Sequence, residues 1–327
     1  MLVTNGDIEA AHLRIKSNIH KTPCLTSKTF QQQFCPDKKV VFKCDNFQKC
    51  GSFKVRGALN AVMLLKERQP QVKTVVTHSS GNFAQALAYA AQLNNLSCHV
   101  VCPSNTVQAK KDAAREYGAE VTECEPTEEA REQTAQRVIR DTEGAVFVHP
   151  YAHADIICGQ GTAGLEMIEQ VDKIDAVLVP VGGGGLLAGI SSAIKYKYPN
   201  AKVYAVEPDT ADDAKRSFDS KTLIRNETYP TTICDGLRTS MSEITLAHML
   251  KHVDDVILVS DSDTASAARF FLRRMKICVE PSGAIGAAVL MNKNNLEKYF
   301  KNCENIVIFV CGGNFDYLLQ ADLINDL

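Results

Sequence analysis

The chain has 327 residues, 45% of them hydrophobic, with 36 basic and 38 acidic residues and a formal net charge of -2. That is enough apolar material for one large domain or two closely packed ones. No basic block of the kind that tracks phosphates is present, no apolar run is long enough to span a bilayer, and the N-terminus lacks a secretory signal, which argues against nucleic acid, membrane and export.

In chain order, MLVTNGDIEAAHLRIK reads as an amphipathic helix, capped by Thr4 with Asp7 three residues on. VVFKCD is the first expected strand. GSFKVRG follows, placing Lys54 between two glycines, and GALNAVMLLKERQ reads as a helix. TVVTHS, SCHVVCP and VFVHP read as strands, with FAQALAYAAQL, AKKDAAREYG and EAREQTAQRVIRD as helices among them. The strands AVLVPV, KVYAVEP, VILVS and NIVIFVCGG complete the set, with the helices LLAGISSAIKYKY, DTASAARFFLRRM and SGAIGAAVLMNK. Strand, helix, strand in succession means parallel sheets covered by helices on both faces. The short units from Thr74 to Tyr151 form a unit of their own: 74–151 is expected as a small domain, 1–73 and 152–327 as a large one. The 12 cysteines include no C-x-x-C pair. Cys98 and Cys102 are four strand steps apart, roughly 13 Å, too far for one bridge or one metal ion. The cysteines therefore read as small buried apolar residues of a chain in a reducing cytoplasm.

Three strand-to-helix turns carry chemistry. AVLVPV runs into Gly182, Gly183, Gly184 and Gly185 and then a helix. Four glycines let backbone N–H groups crowd around an anion, and a helix N-terminus adds about half a positive charge, so this is a phosphate cradle. Gly183, Gly185 and Ala188 also fit G-x-G-x-x-A, and the next strand ends on the acidic Glu207, which keeps a nicotinamide oxidoreductase open. HSSGN, with Ser79, Ser80 and Asn82, is the second junction and suits a carboxylate or a ring oxygen, or an ordinary helix cap. CGGN, residues 311–314, is the third. All three are expected at strand C-terminal ends, around one crevice.

Together SFKVRGALNA, THSSGNFAQALAYAA, the four-glycine turn, YAVEPDTADDA, MKICVEPSGA and CGGN resemble the fold-type II pyridoxal phosphate enzymes. Within these, the likeness is to the serine racemase and serine/threonine dehydratase group, in that group's order and through nearly the whole chain. The resemblance implies a tryptophan synthase β-like α/β fold, two parallel-sheet domains with the active site between them. It also takes most of the weight from the nicotinamide reading, which explains neither Lys54 nor CGGN. It implies that Lys54 carries the cofactor covalently, that Phe53 lies against the pyridine ring and that Asn82 meets the ring oxygen. Gly182 to Gly185 with the Leu186 N–H would hold the phosphate. Cys311 would face the pyridine nitrogen as a weak donor that leaves it neutral, which suits elimination and racemisation better than transamination.

Racemisation needs acid/base groups on both faces of Cα, and the racemases of the group have serine before Gly-Asn, so Lys54 and Ser80 are the expected pair. Ser79, Ser80, Asn82, Arg131 and Thr239 match substrate-contacting positions. Glu207, Asp213 and the Ala211 carbonyl match a divalent cation site for Mg²⁺, Ca²⁺ or Mn²⁺. Ser27, Lys28, Lys49, Gln85, Tyr117, Lys276 and Asn314 match or lie near the group's nucleotide site, so ATP is a candidate activator. A homodimer is implied, and the chain's end at Leu327 implies no appended regulatory domain. Two positions depart from the group. Phe83 replaces a histidine after Gly-Asn, making that wall of the pocket apolar, and Tyr151 replaces an asparagine after His149 and Pro150. L-serine is the first expected substrate, with threonine and aspartate left open.

Overall fold

The computed structural model describes residues 2–79, 81–106 and 108–315. Among these, ten strands form two sheets. The strands are β1 (Cys24–Leu25), β2 (Lys39–Cys44), β3 (Thr74–His78), β4 (Ser97–Pro103), β5 (Ala119–Cys124), β6 (Ala145–Phe147), β7 (Ala176–Pro180), β8 (Lys202–Pro208), β9 (Asp255–Val259) and β10 (Asn305–Val310). The helices of the first half are α1 (Asn5–Ile15), α2 (Lys28–Phe34), α3 (Lys54–Arg68), α4 (Asn82–Leu93), α5 (Gln108–Glu116) and α6 (Glu128–Asp141). Those of the second half are α7 (Ala154–Gln170), α8 (Gly185–Lys197), α9 (Asp213–Ser220), α10 (Glu243–His252), α11 (Asp261–Phe270), α12 (Pro281–Met291) and α13 (Lys293–Tyr299). No helix among the described residues is long and apolar enough to cross a membrane.

The larger sheet runs β1-β2-β10-β7-β8-β9, parallel except for the short edge strand β1. The smaller sheet runs β5-β4-β3-β6 and is parallel throughout. The α/β expectation is therefore met. Its cause is visible in β10, where Ile306, Ile308 and Val310 join one core cluster and Val307 and Phe309 the other. A strand buried on both faces reads as a continuous apolar run. Leu187, Ile190 and Ile194 of α8 cover one face, and Ala284, Ile285 and Ala288 of α12 cover the opposite one. The smaller sheet repeats the pattern. Val75 and Val100 pack with Leu87 of α4, while Val76 and Val101 pack with Ala135 and Val138 of α6.

Several elements differ from the sequence reading. β1, α2, β5, α7, α9, α10 and α13 were not expected. The expected helix DTASAARFFLRRM stops as an α-helix at Phe270 and continues as a π-turn from Phe271 to Met275, ended by Lys276 in the left-handed region (φ 62°). The N-terminal helix is as expected, with Thr4 and Asp7 in a reciprocal capping box. Nine of the twelve cysteines are buried and all are free thiols, and Cys278 alone is exposed.

Candidate active site

Lys54 opens α3 where the loop after β2 turns back into the core. Two left-handed residues make that turn, Cys50 (φ 58°) and Gly51 (φ 65°). A Cβ on Gly51 would lie 2.3 Å from Asn314 Oδ1, so both space and backbone call for glycine there. After the turn Ser52 bridges Gly312, and the Phe53 N–H donates to the Cys311 carbonyl at 3.0 Å. SFK and CGGN, far apart in sequence, therefore lie side by side at the C-terminal end of β10.

The Lys54 Nζ sits 5.0 Å from the centroid of the Phe53 ring and 5.9 Å from that of Phe83, and donates a long hydrogen bond to the Pro150 carbonyl at 3.4 Å. Burial pushes its ammonium from 10.5 down to about 8, outweighing the acidic groups of Cys311 and Glu280, which act to raise it. A much larger fraction of this amine is neutral near pH 7 than for an exposed lysine, which is what a nucleophilic amine needs. Phe53 is itself buried in the larger sheet's core, edge-on to Phe309 at 6.4 Å.

Asn82 is the first residue of α4. Its Nδ2 donates to Glu280 Oε1 at 2.8 Å and its Oδ1 accepts from Asn314 Nδ2 at 2.9 Å. The amide is thus oriented from two sides and keeps one N–H for a ligand. Glu280 was not singled out from the sequence. It precedes α12, is 3% exposed, and accepts from Asn82 beside Gly312. Burial and Asp235 push its carboxyl up to about 8, against the opposing influence of Lys110 and the Asn82 hydrogen bond. The signal was an acidic residue directly ahead of a proline that starts a helix with no charged residue. Burial and then Glu280 also push the Cys311 thiol well above its usual range, so it stays protonated. His149 is a second residue whose part went unread. Its Nδ1 accepts from the Tyr151 and Ala152 amides at 3.2 and 2.9 Å, and burial, His78 and Lys54 hold it down to about 4, a neutral imidazole facing the lysine.

The four glycines after β7 are all buried. Gly184 is left-handed (φ 84°). A Cβ at Gly182 would stand 2.9 Å from Leu237 Cα, and one at Gly183 would stand 2.5 Å from the Tyr151 ring. α8 begins at Gly185 with no acidic residue in its first turn and no side-chain cap, which leaves the N–H groups of that turn, Leu186 included, to an anion. A cradle that only glycine fits, an uncapped helix N-terminus and a desolvated amine match a phosphate joined to an aldehyde.

Residues 15–312 match the family described as "Pyridoxal-phosphate dependent enzyme". This chain belongs to the pyridoxal-phosphate dependent enzymes. Among its relatives, human serine racemase is 42% identical over 318 residues, 96% of this chain and 92% of that protein. The β-hydroxyaspartate dehydratase of Paracoccus denitrificans is 41% identical over 313 residues, 96% of each. The structure of maize serine racemase superposes with a TM-score of 0.93 at 38% identity, covering 98% of this chain and 97% of that one.

In this pyridoxal-phosphate dependent enzyme the other expected residues fall into three groups. Ser80 lies outside the described residues. Ser79 is half-buried, its N–H bonded to the Val101 carbonyl at 3.0 Å and its Oγ accepting from the Gly81 N–H at 3.3 Å. Arg131 is half-buried on α6, its Nε reaching the Thr127 carbonyl at 3.4 Å, and Thr239 is half-buried ahead of α10.

Glu207 and Asp213 come together. Glu207 ends β8 and accepts from the Ala214 and Lys215 amides, both at 2.9 Å. Asp213 accepts from Asn226 Nδ2 at 2.8 Å and the Met241 amide at 3.1 Å. Both are 1% exposed and Ala211 is fully buried. Burial and Asp213 push Glu207 well up, and burial pushes Asp213 up to about 6. Glu207 therefore caps its own loop rather than presenting itself to a ribose.

Of the nucleotide candidates, Lys49, Gln85, Tyr117 and Asn314 gather around Cys50. Lys49 Nζ donates to Tyr89 at 2.9 Å, the Tyr89 and Tyr117 rings meet at 5.8 Å, Tyr117 bonds the Cys50 thiol, and Asn314 Nδ2 donates to the Cys50 carbonyl at 2.8 Å. The Gln85 carbonyl accepts from the Cys50 thiol at 3.9 Å. Ser27 is spent as the cap of α2, accepting from the Phe30 amide at 3.2 Å, with Lys28 exposed beside it.

Proposed function

We propose that this enzyme converts L-serine to D-serine and, at the same site, eliminates water from serine to leave pyruvate and ammonia. The observation that carries the reading is Lys54, an amine held down to about 8 between two aromatic rings. Pyridoxal phosphate, when bound, draws electrons from the substrate's α-carbon and makes its proton removable. Lys54 Nζ would hold the cofactor and then move that proton on one face. Racemisation requires a second acid/base group on the opposite face, and the Ser80 hydroxyl is assigned that part. Asn82 would orient the ring oxygen with its remaining N–H. The protonated Cys311 thiol would leave the pyridine nitrogen neutral, and neutral His149 would add no charge beside the amine.

Ser79 and the start of α4 would take the substrate carboxylate. Arg131 would reach it when the 74–151 segment closes over the 1–73 and 152–327 body, and Thr239 would meet the hydroxyl. Glu207 and Asp213 with the Ala211 carbonyl would hold Mg²⁺, Ca²⁺ or Mn²⁺. Support comes from two buried carboxylates beside one another, whose repulsion a divalent ion would discharge. ATP would bind at Lys49, Gln85, Tyr117, Lys276 and Asn314. The same reading has the enzyme acting as a cytoplasmic homodimer.

A dedicated dehydratase is the second reading. Its support is the likeness to a β-hydroxyaspartate dehydratase and an apolar Phe83 in place of histidine, and it keeps a dicarboxylic substrate in play. The deciding experiment incubates the cofactor-loaded protein with L-serine and Mg²⁺, then resolves products by chiral chromatography beside a keto-acid assay. D-serine is expected, and pyruvate without any D-serine removes the racemase reading.

A further inference from the structure

We infer that Arg56 is the positioning residue for Lys54: its guanidinium staples together the two ends of the segment that carries the lysine and ties both to α7. This rests on Lys54 being the cofactor-bearing amine.

Arg56 is the third residue of α3 and is fully buried. One side of its fork takes Asp45, Nε to Oδ2 at 2.6 Å and Nη2 to Oδ1 at 2.9 Å. The other takes Glu166, Nη1 to Oε1 at 2.7 Å and Nη2 to Oε2 at 2.9 Å. The hydroxyls of Thr162 and Thr22 stand at 3.3 and 3.4 Å. Lys43 is the second cation, its Nζ donating to Glu166 Oε2 at 2.6 Å, Gln170 Oε1 at 2.8 Å and the Thr22 carbonyl at 2.8 Å. Two cations and two carboxylates cancel, and the three donors of Lys43 are all used.

The placement of these groups is what gives Arg56 its role. Asp45 opens the turn after β2, Arg56 closes the same excursion, and Lys54 lies between them. The excursion contains Cys50 at φ 58°, a conformation that a non-glycine residue keeps only where its surroundings impose it. Glu166 belongs to α7, and the first turn of α3 is pressed onto that helix. A Cβ at Gly159 would lie 2.5 Å from the Arg56 carbonyl, and Gln160 Oε1 accepts from the Gly57 N–H at 3.2 Å. A lysine at position 56 would keep the charge but not two bidentate forks. Residues two apart on a helix do not face one another, so Arg56 acts on the amine through the backbone. The amine itself is faced by Cys311 after β10, Glu280 ahead of α12 and His149 after β6, with the Phe53 and Phe83 rings and the Pro150 carbonyl. Substitution at Arg56 alters none of these groups.

The test compares wild type with Arg56→Lys by three measurements. In the apoprotein, Lys54 is labelled with trace acetic anhydride across pH and quantified by mass spectrometry. The dissociation constant for pyridoxal phosphate is measured by dialysis, and thermal melting is followed by circular dichroism. The expected result is a folded R56K protein whose Lys54 labelling midpoint rises from the wild-type value toward that of an exposed lysine. Its cofactor affinity falls by roughly tenfold to a hundredfold, the scale of a small misplacement of a reacting group. A lowered melting temperature with midpoint and affinity unchanged means a structural role only and overturns the inference. Should R56K fail to fold, Asp45→Glu, which keeps every charge and lengthens one arm by a methylene, decides by the same two readouts. Should neither fold, the network is a requirement of the whole fold and the assignment to Lys54 fails. Lys54→Ala is the control: a visible absorption band of bound cofactor that survives it sinks the Lys54 reading itself, separately from Arg56.

Discussion

Gly183→Ala is expected to weaken cofactor binding without unfolding the chain. The added Cβ would sit 2.5 Å from Cγ and Cδ2 of Tyr151 and 2.6 Å from Cδ1. Carbon pairs are comfortable at about 3.5–4.0 Å, so ring or loop must give by about 1 Å. Neither gives freely. The Tyr151 ring stands perpendicular to His149 at 4.6 Å, and the Tyr151 amide donates to His149 Nδ1 at 3.2 Å. The loop is held by Gly182 against Leu237 and by the left-handed Gly184. Overpacking of this kind costs about 1–3 kcal/mol. If the loop rather than the core yields, that becomes about a 5- to 150-fold rise in the dissociation constant. Titration of apoprotein with pyridoxal phosphate, followed by visible absorbance, measures it. In the double variant with Tyr151→Ala the methyl enters vacated space, so the two changes should couple by about 1 kcal/mol or more. An unchanged dissociation constant in G183A, or strictly additive effects in the double variant, would refute the placement of the ring on the cradle.

Ser80→Ala should lower D-serine formation by about 10²–10⁴-fold while pyruvate formation persists, as chiral chromatography beside a keto-acid assay will show; equal loss of both products would remove Ser80 from the second face. The folded-state value of His149, near 4, lies below the ordinary 6.5, so its contribution to stability is complete above pH 6.5 and is lost as pH falls toward 4. Urea midpoints across pH 4–7 should show that slope, shallower in His149→Asn; an identical slope in the variant counts against a buried neutral imidazole. Saturating Mg²⁺ or Ca²⁺ should raise stability by about 2.7 kcal/mol at a hundred times the dissociation constant, and Asp213→Asn should abolish the gain. A cation effect that survives in D213N places the ion elsewhere.

The strands that were legible are those buried on both faces, such as NIVIFV and AVLVP, because an unbroken apolar run between glycine-rich turns has few other uses. β5 was missed because it is an edge strand that exposes Glu120 and Glu123, so AEVTEC has no apolar run. α7 was missed for a related reason. Its glycines at 159, 161 and 164 depress helix propensity, yet each marks a backbone approach: to Arg56 and Gly57 of α3, to Ile8 of α1, and to Ala193 and Ile190 of α8. The π-turn after α11 was hidden in FFLRRM, which carries no breaker, and it ends only where Lys276 turns left-handed.

Local sequence by itself determined the chemistry's parts. A lysine between glycines, a four-glycine turn before an uncapped helix and two polar junctions depend on backbone conformation and composition, which neighbours in the chain dictate. Tertiary structure alone decided their electrostatics. Lys54 is a poised amine because Phe53 and Phe83 from different elements strip its water. Glu280 is an acid near neutral pH because α12 buries it beside Asn82, and Arg56 is a staple because Asp45 and Glu166 converge on it from β2's end and from α7. Desolvation and charge pairing depend on which distant groups share a few ångströms, and no reading along the chain contains that distance.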